Sequence, residues 1–357
     1  MNTHSSDYTS SESAILAFDI GGTWTRFGAD RAHGCELLDK LPTPSFARGE
    51  TSKRTGQARL IELMSDCLAG FLSDNPNTDV RQVAISLGAA LNGLSGEIYF
   101  SAPLWGDQPA EFDLAGVLES RFPSLRFTVV NDITAHLLWY TATQSRIGTG
   151  KTVLFTISTG IGCRTFDHSR QVVTLDSEYG IQGEVGHLPA SVILQQSAIH
   201  AVCDCGAADH VSAFCSGSGV TKHWNRYQQL ILKYYPRSEL GNIESFNSEA
   251  LLGLYESRDP GARQFMQLIV APLGNLILTM LAVDPDIGEI ALTGGFVQSL
   301  QPAYLDTLRG FLDSQGLYII SRFDPQRLAR VVTLAEDSPT AGLEGAALYL
   351  KRIEGVS

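Results

Sequence analysis

The stretch of sequence that decides the fold is Ala14–Ala29, which reads AILAFDIGGTWTRFGA. Its apolar first part, Ala14–Ile20, runs into a pair of glycines, and a second short segment, Arg26–Ala29, follows them. Segments of this kind on either side of a glycine pair are typical of two strands joined by a tight turn. The pattern therefore predicts a hairpin whose glycine turn can direct backbone N–H groups at a ligand.

The same pattern occurs again in the middle of the chain. Val153–Ile157 is apolar, Ser158–Gly162 reads STGIG, and Cys163–Phe166 follows. Aligning Gly22 with Gly160 also aligns the two apolar runs, which indicates two related halves. Around these segments, patterns typical of strands and helices alternate, which favours an α/β fold. Helices are predicted at 60–72, 112–122 and 340–350, and further strands at 83–87, 127–130 and 290–292.

The composition excludes several classes of protein. The chain has 357 residues, with 26 Lys and Arg against 38 Asp and Glu, and its net charge of −12 argues against nucleic-acid or anionic-membrane partners. No stretch approaches the roughly 20 apolar residues needed to cross a bilayer, and the polar N-terminus lacks a secretory signal. We expect a soluble, cytoplasmic protein.

Glycine turns follow three of the predicted strands, the third at Thr293–Gly295. Each turn by itself is equally consistent with an ordinary tight turn. Three turns together favour an anion, because ligands of α/β folds collect at the carboxyl ends of strands and glycine turns can cradle phosphate. A nucleoside triphosphate would use all three turns.

Asp132 follows Asn131 at the end of a predicted strand. A carboxylate there could accept the proton of a substrate hydroxyl during phosphoryl transfer. The Asn-Asp pair could equally be no more than a cap of the next helix.

Four side chains that commonly bind metals lie close together in the sequence, namely His187, Cys203, Cys205 and His210. Two thiolates and two imidazoles suit tetrahedral zinc, and a loop without metal is the other interpretation. The remaining cysteines, Cys35, Cys67, Cys163 and Cys215, are expected to be buried, small apolar residues.

Seven segments of the chain occur in the order known from one family. They are Asp19–Thr23, Asn131–Asp132, Ser158–Gly162, Gly183–His187, Cys203–Gly206, Ser216–Gly217 and Thr293–Gly295. With them the chain resembles the ROK family of sugar kinases and repressors over nearly its whole length. The resemblance implies an α/β, two-domain actin-like ATPase (ribonuclease H-like) fold, with an interdomain cleft that closes around ATP and a sugar.

The resemblance also implies roles for individual residues. Asp132 would be the catalytic base, and Asn131, Glu184 and His187 would bind substrate hydroxyls. ATP phosphates and Mg²⁺ would be bound by Asp19, Gly21, Gly22, Thr23, Thr159, Gly160, Gly294 and Gly295. His187, Cys203, Cys205 and His210 would hold a structural Zn²⁺. The resemblance further implies a homodimer.

The expected domain organisation has three parts. Residues 1–13, rich in Ser and Thr, are expected to be a mobile tail. A smaller domain would comprise 14–133 with 335–357, and a larger domain, 134–334, would carry the zinc-binding loop.

The chain departs from the family pattern at two places. The family usually has Gly-Cys-Leu-Glu where this chain has Asp209–Ser212, so His210 replaces a cysteine ligand and Ser212 replaces a glutamate that binds the sugar. The family commonly has Pro-Asn-Leu where Leu104 here follows Pro103 directly. Because two polar contacts are missing, glucose is a less secure choice of substrate than usual.

These observations predict an ATP-dependent kinase that phosphorylates a hexose, an N-acetylhexosamine or a cyclitol. Two alternatives stay open. One is a ROK-type sugar-responsive regulator, against which stand the net charge and the 13 residues before Ala14, too few for a helix-turn-helix domain. The other is a non-catalytic sugar-binding protein, which the changes at Leu104 and Ser212 would allow.

Overall fold

The structure is a computed structural model, and it describes residues 12–50, 52–106, 112–353 and 355. Of the tail expected at residues 1–13, residues 1–11 lie outside the described residues. The first strand begins at Ser13.

The described secondary structure consists of strands, helices and short 3-10 turns. The strands are β1 (Ser13–Ile20), β2 (Trp24–Arg31), β3 (Gly34–Pro42), β4 (Asp79–Leu87), β5 (Ala90–Leu91), β6 (Ile98–Phe100), β7 (Arg126–Asn131), β8 (Lys151–Ile157), β9 (Ile161–Asp167), β10 (Val172–Val173), β11 (Val192–Leu194), β12 (Ser197–Ile199), β13 (Ile287–Thr293) and β14 (Val332–Leu334). The helices are α1 (Lys53–Asp74), α2 (Ala102–Trp105), α3 (Leu114–Arg121), α4 (Asp132–Thr143), α5 (Val211–Cys215), α6 (Gly217–Leu232), α7 (Ser248–Glu256), α8 (Pro260–Val283), α9 (Gly295–Gln298), α10 (Ala303–Gln315), α11 (Ile320–Phe323), α12 (Arg327–Val331) and α13 (Ala341–Ile353). The 3-10 turns are Phe46–Arg48, Val185–His187 and Glu239–Asn242.

The predicted elements are confirmed. The helices expected at 60–72, 112–122 and 340–350 correspond to α1, α3 and α13, and the strands expected at 83–87, 127–130 and 290–292 lie in β4, β7 and β13. Helix α3 begins where the chain offers a cap, because the Asp113 carboxylate accepts a hydrogen bond from the Gly116 N–H at 2.8 Å.

The chain divides into two compact units, of which the first comprises Met1–Ala142, Leu175–Ile181 and Ser338–Ser357. Its main sheet has the strand order β3-β2-β1-β4-β7. Strand β1 is antiparallel to β2 and parallel to β4, which is in turn parallel to β7. The carboxyl ends of β1, β4 and β7 therefore meet at one edge of the sheet, and α13 packs against β1 and β4.

The second unit comprises Thr143–Thr174 and Gln182–Asp337. Its main sheet has the order β10-β9-β8-β13-β14, with β8 antiparallel to β9 and parallel to β13, and β13 parallel to β14. Order and strand directions are those of the first unit, so the two sheets repeat one topology. The predicted α/β fold class is confirmed.

Helix α8 is long and apolar enough, by length and composition, to cross a membrane. The expectation that no stretch approaches this size is therefore wrong. In the second unit α8 is largely a core helix, because residues on several of its sides are buried, among them Phe265, Ile269 and Leu273. Its apolar character is accounted for by the packing of this unit.

The two units do not coincide with the predicted domain boundaries. Residue 133 lies inside the continuous helix α4, most of which belongs to the first unit. The segment Leu175–Ile181 also belongs there, because Asn92 Nδ2 donates to the Ser177 carbonyl at 2.6 Å and the Gly93 N–H donates to the Asp176 carbonyl at 2.7 Å. The division into domains at 133 and 334 stays a prediction.

Candidate active site

Asp19 is buried near the carboxyl end of β1, and both of its carboxylate oxygens are engaged. Ser86 on β4 donates its hydroxyl to Oδ1 at 2.9 Å, and Arg26 on β2 donates Nη1 to Oδ2 at 3.0 Å. The sheet register explains both contacts, because Asp19 pairs with Arg26 on one side and with Ser86 on the other. The carboxylate is thus held in one orientation at the end of the strand.

The first turn of α13 closes over the Asp19 carboxylate. A Cβ built on Gly342 would lie 2.3 Å from Cγ of Asp19, whereas ordinary contacts begin at 3.4 Å. Only glycine allows this approach. The positive end of the α13 dipole also favours a negative charge there.

The turn Gly21–Thr23 follows Asp19 directly. Its backbone is fixed from both sides, because the Gly21 N–H donates to the Trp24 carbonyl at 3.0 Å and the Thr43 N–H donates to the Thr23 carbonyl at 3.1 Å. The Ser45 hydroxyl donates to the Gly22 carbonyl. Thr23 is exposed, so this turn reaches the surface beside the buried carboxylate.

Asn131 ends β7 and caps the helix that follows. Its Oδ1 accepts hydrogen bonds from the N–H groups of Ile133, at 3.0 Å, and Thr134, at 3.3 Å, and its Nδ2 donates to the Ala89 carbonyl at 3.0 Å. Asn131 therefore caps helix α4, which is the alternative interpretation of the Asn-Asp pair. One Nδ2 hydrogen beyond the Ala89 contact remains for a ligand.

Asp132 is half-buried at the start of α4, beside the backbone of Gly88. A Cβ on Gly88 would lie 3.3 Å from Asp132 Oδ2, so a side chain at position 88 would crowd that oxygen. Gly88 follows β4, and its N–H donates to the Ile20 carbonyl at 3.1 Å. The first unit thus gathers Asp19, Asp132 and the first glycine turn at one sheet edge, as the sequence predicted for strand ends.

In the second unit, two of the predicted phosphate turns lie against each other. Thr159 and Gly160 form the exposed turn after β8, and Gly294 follows the neighbouring parallel strand β13. Gly294 has a φ of 109°, and a Cβ there would lie 2.4 Å from the Ile157 carbonyl oxygen. Both the backbone conformation and the close approach require glycine.

Helix α6 begins next to the Thr159–Gly160 turn. The Gly217 N–H donates to the Ser158 carbonyl at 2.7 Å, and the Ser218 hydroxyl lies 2.7 Å from the Thr159 carbonyl oxygen. The Ser216 hydroxyl caps the helix by accepting from the Gly219 N–H at 3.1 Å. The first turn of α6 is therefore tied to the turn that ends β8.

The four predicted metal ligands come together in the second unit. The candidate ligand atoms of His187, Cys203, Cys205 and His210 all lie within 4.8 Å of one another. Cys205 Sγ is 3.3 Å from His210 Nδ1, and Cys203 Sγ is 3.8 Å from His187 Nδ1. Tetrahedral zinc would place such atoms about 3.4–3.8 Å apart, so these two pairs have about the spacing that the ion requires, and the remaining pairs lie within 4.8 Å.

Asp209 occupies the position at which the family pattern has glycine, and its φ is 59°. Aspartate is among the few non-glycine residues that adopt this left-handed region readily. Its side chain is also anchored, since its carboxylate accepts from His200 Nδ1 at 2.7 Å and from the Ala201 N–H at 2.9 Å. The hydrogen bond from His200 and, to a smaller extent, the one from the Ala201 N–H lower the pKa of Asp209.

Glu184 and His187 lie at the ends of a single 3-10 turn. Gly183, just before it, has a φ of 73°, and a Cβ there would lie 1.7 Å from the Cys163 carbonyl oxygen. A Cβ on Gly186 would lie 2.2 Å from the Ser212 hydroxyl oxygen. The buried Ser212 therefore packs directly against the loop that presents Glu184 and His187.

The second departure from the family pattern also lies in a packed region. Leu104 is buried in the apolar core of the first unit. The Ser101 hydroxyl just before it donates to the Gly88 carbonyl at 2.6 Å. Leu104 therefore supplies packing and no polar group.

The other cysteines match their expected structural role in two cases. Cys163 and Cys215 are buried, whereas Cys35 and Cys67 are only half-buried. Burial raises the pKa of Cys163 and of Cys35 to about 12 and that of Cys67 to about 11. Burial also raises the pKa of Cys215. All four thiols therefore stay protonated near neutral pH.

Several residues of these sites were not identified from the sequence. Arg26, Ser86 and Gly342 surround Asp19, and Asp204 and Ser218 lie between the metal ligands and the Thr159–Gly160 turn. A signal existed for Arg26, because the hairpin predicted around Gly21 places it opposite Asp19. The other contacts join segments far apart in the sequence.

Comparisons with known proteins agree with one another. The sequence model of the ROK family matches residues 16–353. A curated relative, the 2-epi-5-epi-valiolone 7-kinase of Actinoplanes sp., is 35% identical over 349 residues, which cover 94% of this chain and 92% of that protein.

The solved structures that are similar to this chain include two ROK family sugar kinases. The ROK hexokinase of Thermus thermophilus has a TM-score of 0.65 at 22% identity, covering 96% of this chain and 100% of that one. The ROK family glucokinase of Streptomyces griseus, solved with glucose and AMPPNP, has a TM-score of 0.62 at 20% identity, covering 94% and 98%. At these identities the likeness shows the shared fold.

Proposed function

The chain belongs to the ROK family, and from this premise we propose that it is an ATP-dependent kinase that phosphorylates a hydroxyl of a sugar or a cyclitol. The observation that carries this function is the 35% identity with a cyclitol kinase across 94% of the chain. Phosphoryl transfer depends mainly on positioning and electrostatic stabilisation.

Asp132 is proposed as the catalytic base. As the acceptor oxygen bonds to the γ-phosphorus of ATP and the bond to ADP breaks, the hydroxyl proton passes to the Asp132 carboxylate. Gly88 leaves space beside Oδ2 of this carboxylate, and the cap by Asn131 fixes the start of α4. Oδ1 also accepts from the Ile133 N–H at 2.9 Å, which holds the carboxylate in place.

Asp19 and the glycine turns are proposed to serve the phosphates of ATP. Each Asp19 oxygen accepts one hydrogen bond, from Ser86 or from Arg26, so lone pairs remain for water or for Mg²⁺. Mg²⁺ would neutralise charge on the phosphates. Backbone groups of the turns, Gly21, Gly22 and Thr23 in the first unit and Thr159, Gly160, Gly294 and Gly295 in the second, would contact phosphate oxygens.

The metal-ligand set is proposed to hold a structural Zn²⁺. His187, Cys203, Cys205 and His210 supply four ligands, the full complement of a closed structural site. Zinc would order the loop between the ligands and thereby orient Glu184 and His187. These two residues, with the free Nδ2 hydrogen of Asn131, are proposed to bind acceptor hydroxyls.

For the acceptor we propose a cyclitol, with 2-epi-5-epi-valiolone and its 7-hydroxyl as the first candidate. This follows from the relative's activity and from the two positions where the family's polar groups are absent. Leu104 is buried in the core, and Ser212 is packed against Gly186. A site without those polar groups leaves hexose hydroxyls unmatched.

The homodimer, the cytoplasmic location and the absence of nucleic-acid partners are also part of this proposal. The family resemblance supports the homodimer, and the net charge of −12 argues against nucleic-acid partners. Light scattering during size-exclusion chromatography measures the dimer directly.

The test of the function is ADP release with ATP and Mg²⁺ across hexoses, N-acetylhexosamines and cyclitols including 2-epi-5-epi-valiolone. One strong cyclitol response is expected. Asp132→Asn should lower kcat by about 10²- to 10⁴-fold with an unchanged circular dichroism spectrum, because the amide oxygen can still accept from the Ile133 N–H. Binding of a cyclitol without any ADP formed would favour the non-catalytic alternative, and near-normal turnover by the variant would exclude Asp132 as base.

A further inference from the structure

The proposed zinc loop and the proposed nucleotide turn are joined by a short path of polar contacts. Asp204 lies between the metal ligands Cys203 and Cys205. Its Oδ2 accepts from the Ser218 hydroxyl at 2.7 Å, and its Oδ1 accepts from Lys222 Nζ at 3.0 Å. Two residues of α6 thus hold the carboxylate at the centre of the metal loop.

Ser218 makes the second half of this path. Its hydroxyl oxygen is 2.7 Å from the Thr159 carbonyl oxygen, and its N–H donates to the same carbonyl at 3.4 Å. The hydroxyl has a single proton, which it can donate to Asp204 or to Thr159. The Ser218 hydroxyl therefore lies within hydrogen-bond distance of acceptors on two separate loops.

Lys222 makes the arrangement electrostatically favourable. The Asp204 carboxylate and the Thr159 carbonyl oxygen both face the Ser218 hydroxyl, so two negatively polarised oxygens lie near the same group. The Lys222 ammonium offsets the charge of Asp204 from the side opposite Ser218. The ion pair is largely exposed, so its contribution depends on ionic strength.

Backbone hydrogen bonds hold the metal loop on both sides of Asp204. The Gly206 N–H donates to the Cys203 carbonyl at 2.9 Å, and the Cys203 N–H donates to the Ala207 carbonyl at 2.9 Å. A metal held by Cys203 and Cys205 would therefore also order Asp204 between them. Ordering one side of a shared contact lowers the entropy cost of ordering the other side.

We propose that Asp204 and Ser218 are positioning residues that couple the metal loop to the Thr159–Gly160 turn, so that the loop metal and a nucleotide bind cooperatively. The coupling rests on the proposed function, because it takes that turn as a nucleotide site. By thermodynamic reciprocity, nucleotide must strengthen metal retention to the extent that metal strengthens nucleotide binding.

The test compares Asp204→Ala and Ser218→Ala with two matched controls in the same unit. Asp324→Ala removes an exposed carboxylate paired with Arg330, and Ser314→Ala removes an exposed hydroxyl that donates to the Phe311 carbonyl. Each zinc-loaded protein is titrated with AMPPNP and Mg²⁺ by calorimetry. Both test variants should bind about tenfold more weakly, which corresponds to about 1.4 kcal/mol, and both controls should bind as the wild type does.

Two further measurements distinguish coupling from general damage. The double variant should bind AMPPNP no more weakly than Ser218→Ala alone, because both changes break one path, and Ser218→Thr, which keeps the hydroxyl, should restore binding. AMPPNP should slow zinc release to a chromogenic chelator in the wild type and in the controls, but not in either test variant.

The possible failures have different meanings. If the wild type binds AMPPNP and the test variants bind it equally well, or if the two effects add, the coupling is excluded and the kinase function stands. Equal slowing of zinc release in the test variants has the same meaning. If the wild type binds no AMPPNP and forms no ADP with any acceptor, the proposed function fails and the coupling fails with it.

Discussion

Replacing Gly342 by alanine should displace the Asp19 carboxylate without unfolding the protein. The added Cβ would lie 2.3 Å from Cγ, 2.4 Å from Oδ1 and 2.7 Å from Oδ2 of Asp19. To reach an ordinary contact distance, the carboxylate must retreat by about 1 Å. It cannot retreat freely, since Ser86 and Arg26 hold its two oxygens at 2.9 and 3.0 Å.

The displacement should have two measurable consequences. Overpacking of a fixed, buried group costs about 1–3 kcal/mol, so the free energy of unfolding should fall by that amount. Asp19 is proposed to serve the phosphates and Mg²⁺, and a misplacement of about 1 Å can lower the rate about a hundredfold. We therefore expect kcat to fall about a hundredfold.

The assay combines urea unfolding with ADP release, and Gly310→Ala is the matched control. Gly310 also lies inside a helix, α10, but a Cβ there meets nothing within 4 Å. Alanine at position 310 should stabilise the protein by about 0.4–1 kcal/mol and leave kcat unchanged. If Gly342→Ala matched this control in both stability and kcat, the close packing of α13 on Asp19 would be refuted.

Two further predictions concern the metal loop and the stability of the second unit. Cys205→Ser should lower the zinc content well below one per chain, whereas Cys67→Ser should retain it; equal zinc in both proteins by metal analysis would contradict the four-ligand site. Burial acts to raise the pKa of Asp259, the cap of α8, but hydrogen bonds from Ser238 and from backbone N–H groups hold that pKa below its usual value. A carboxylate whose pKa is lower in the folded state than in the unfolded state stabilises the fold at pH values above its unfolded-state pKa. The free energy of unfolding of the wild type should therefore fall as the pH drops from about 5 through the folded-state pKa of Asp259. This fall should be smaller in Asp259→Asn, and equal slopes in urea titrations across that range would show that the carboxylate does not carry the effect.

Much of the local structure could be predicted, because it depends on neighbouring residues. The apolar run before Gly21 and its repeat before Gly160 locate two strands and their turns correctly. The crowding of cysteine and histidine around Cys203 identifies a set of side chains that the fold does bring together. In each case the chemistry lies in residues of one segment or of a short loop.

The apolar length of α8 and the capping by Asn131 show where local patterns were insufficient. A long apolar helix can be a core helix or a membrane span, and only its surroundings distinguish the two. From the sequence, the Asn-Asp pair fits either a helix cap or a catalytic site. In the structure the cap is assigned to Asn131, while Asp132 lies beside Gly88.

By itself the sequence determined the candidate metal-binding side chains, the glycine turns and the α/β alternation, since these follow from residue chemistry and short-range periodicity. Only the tertiary structure decided which distant groups surround them. Ser86 reaches Asp19 through the pairing of β1 with β4, and Gly342 reaches it because α13 packs on those strands. Such contacts depend on which segments pack together, and that choice minimises the free energy of the whole chain rather than of any one segment.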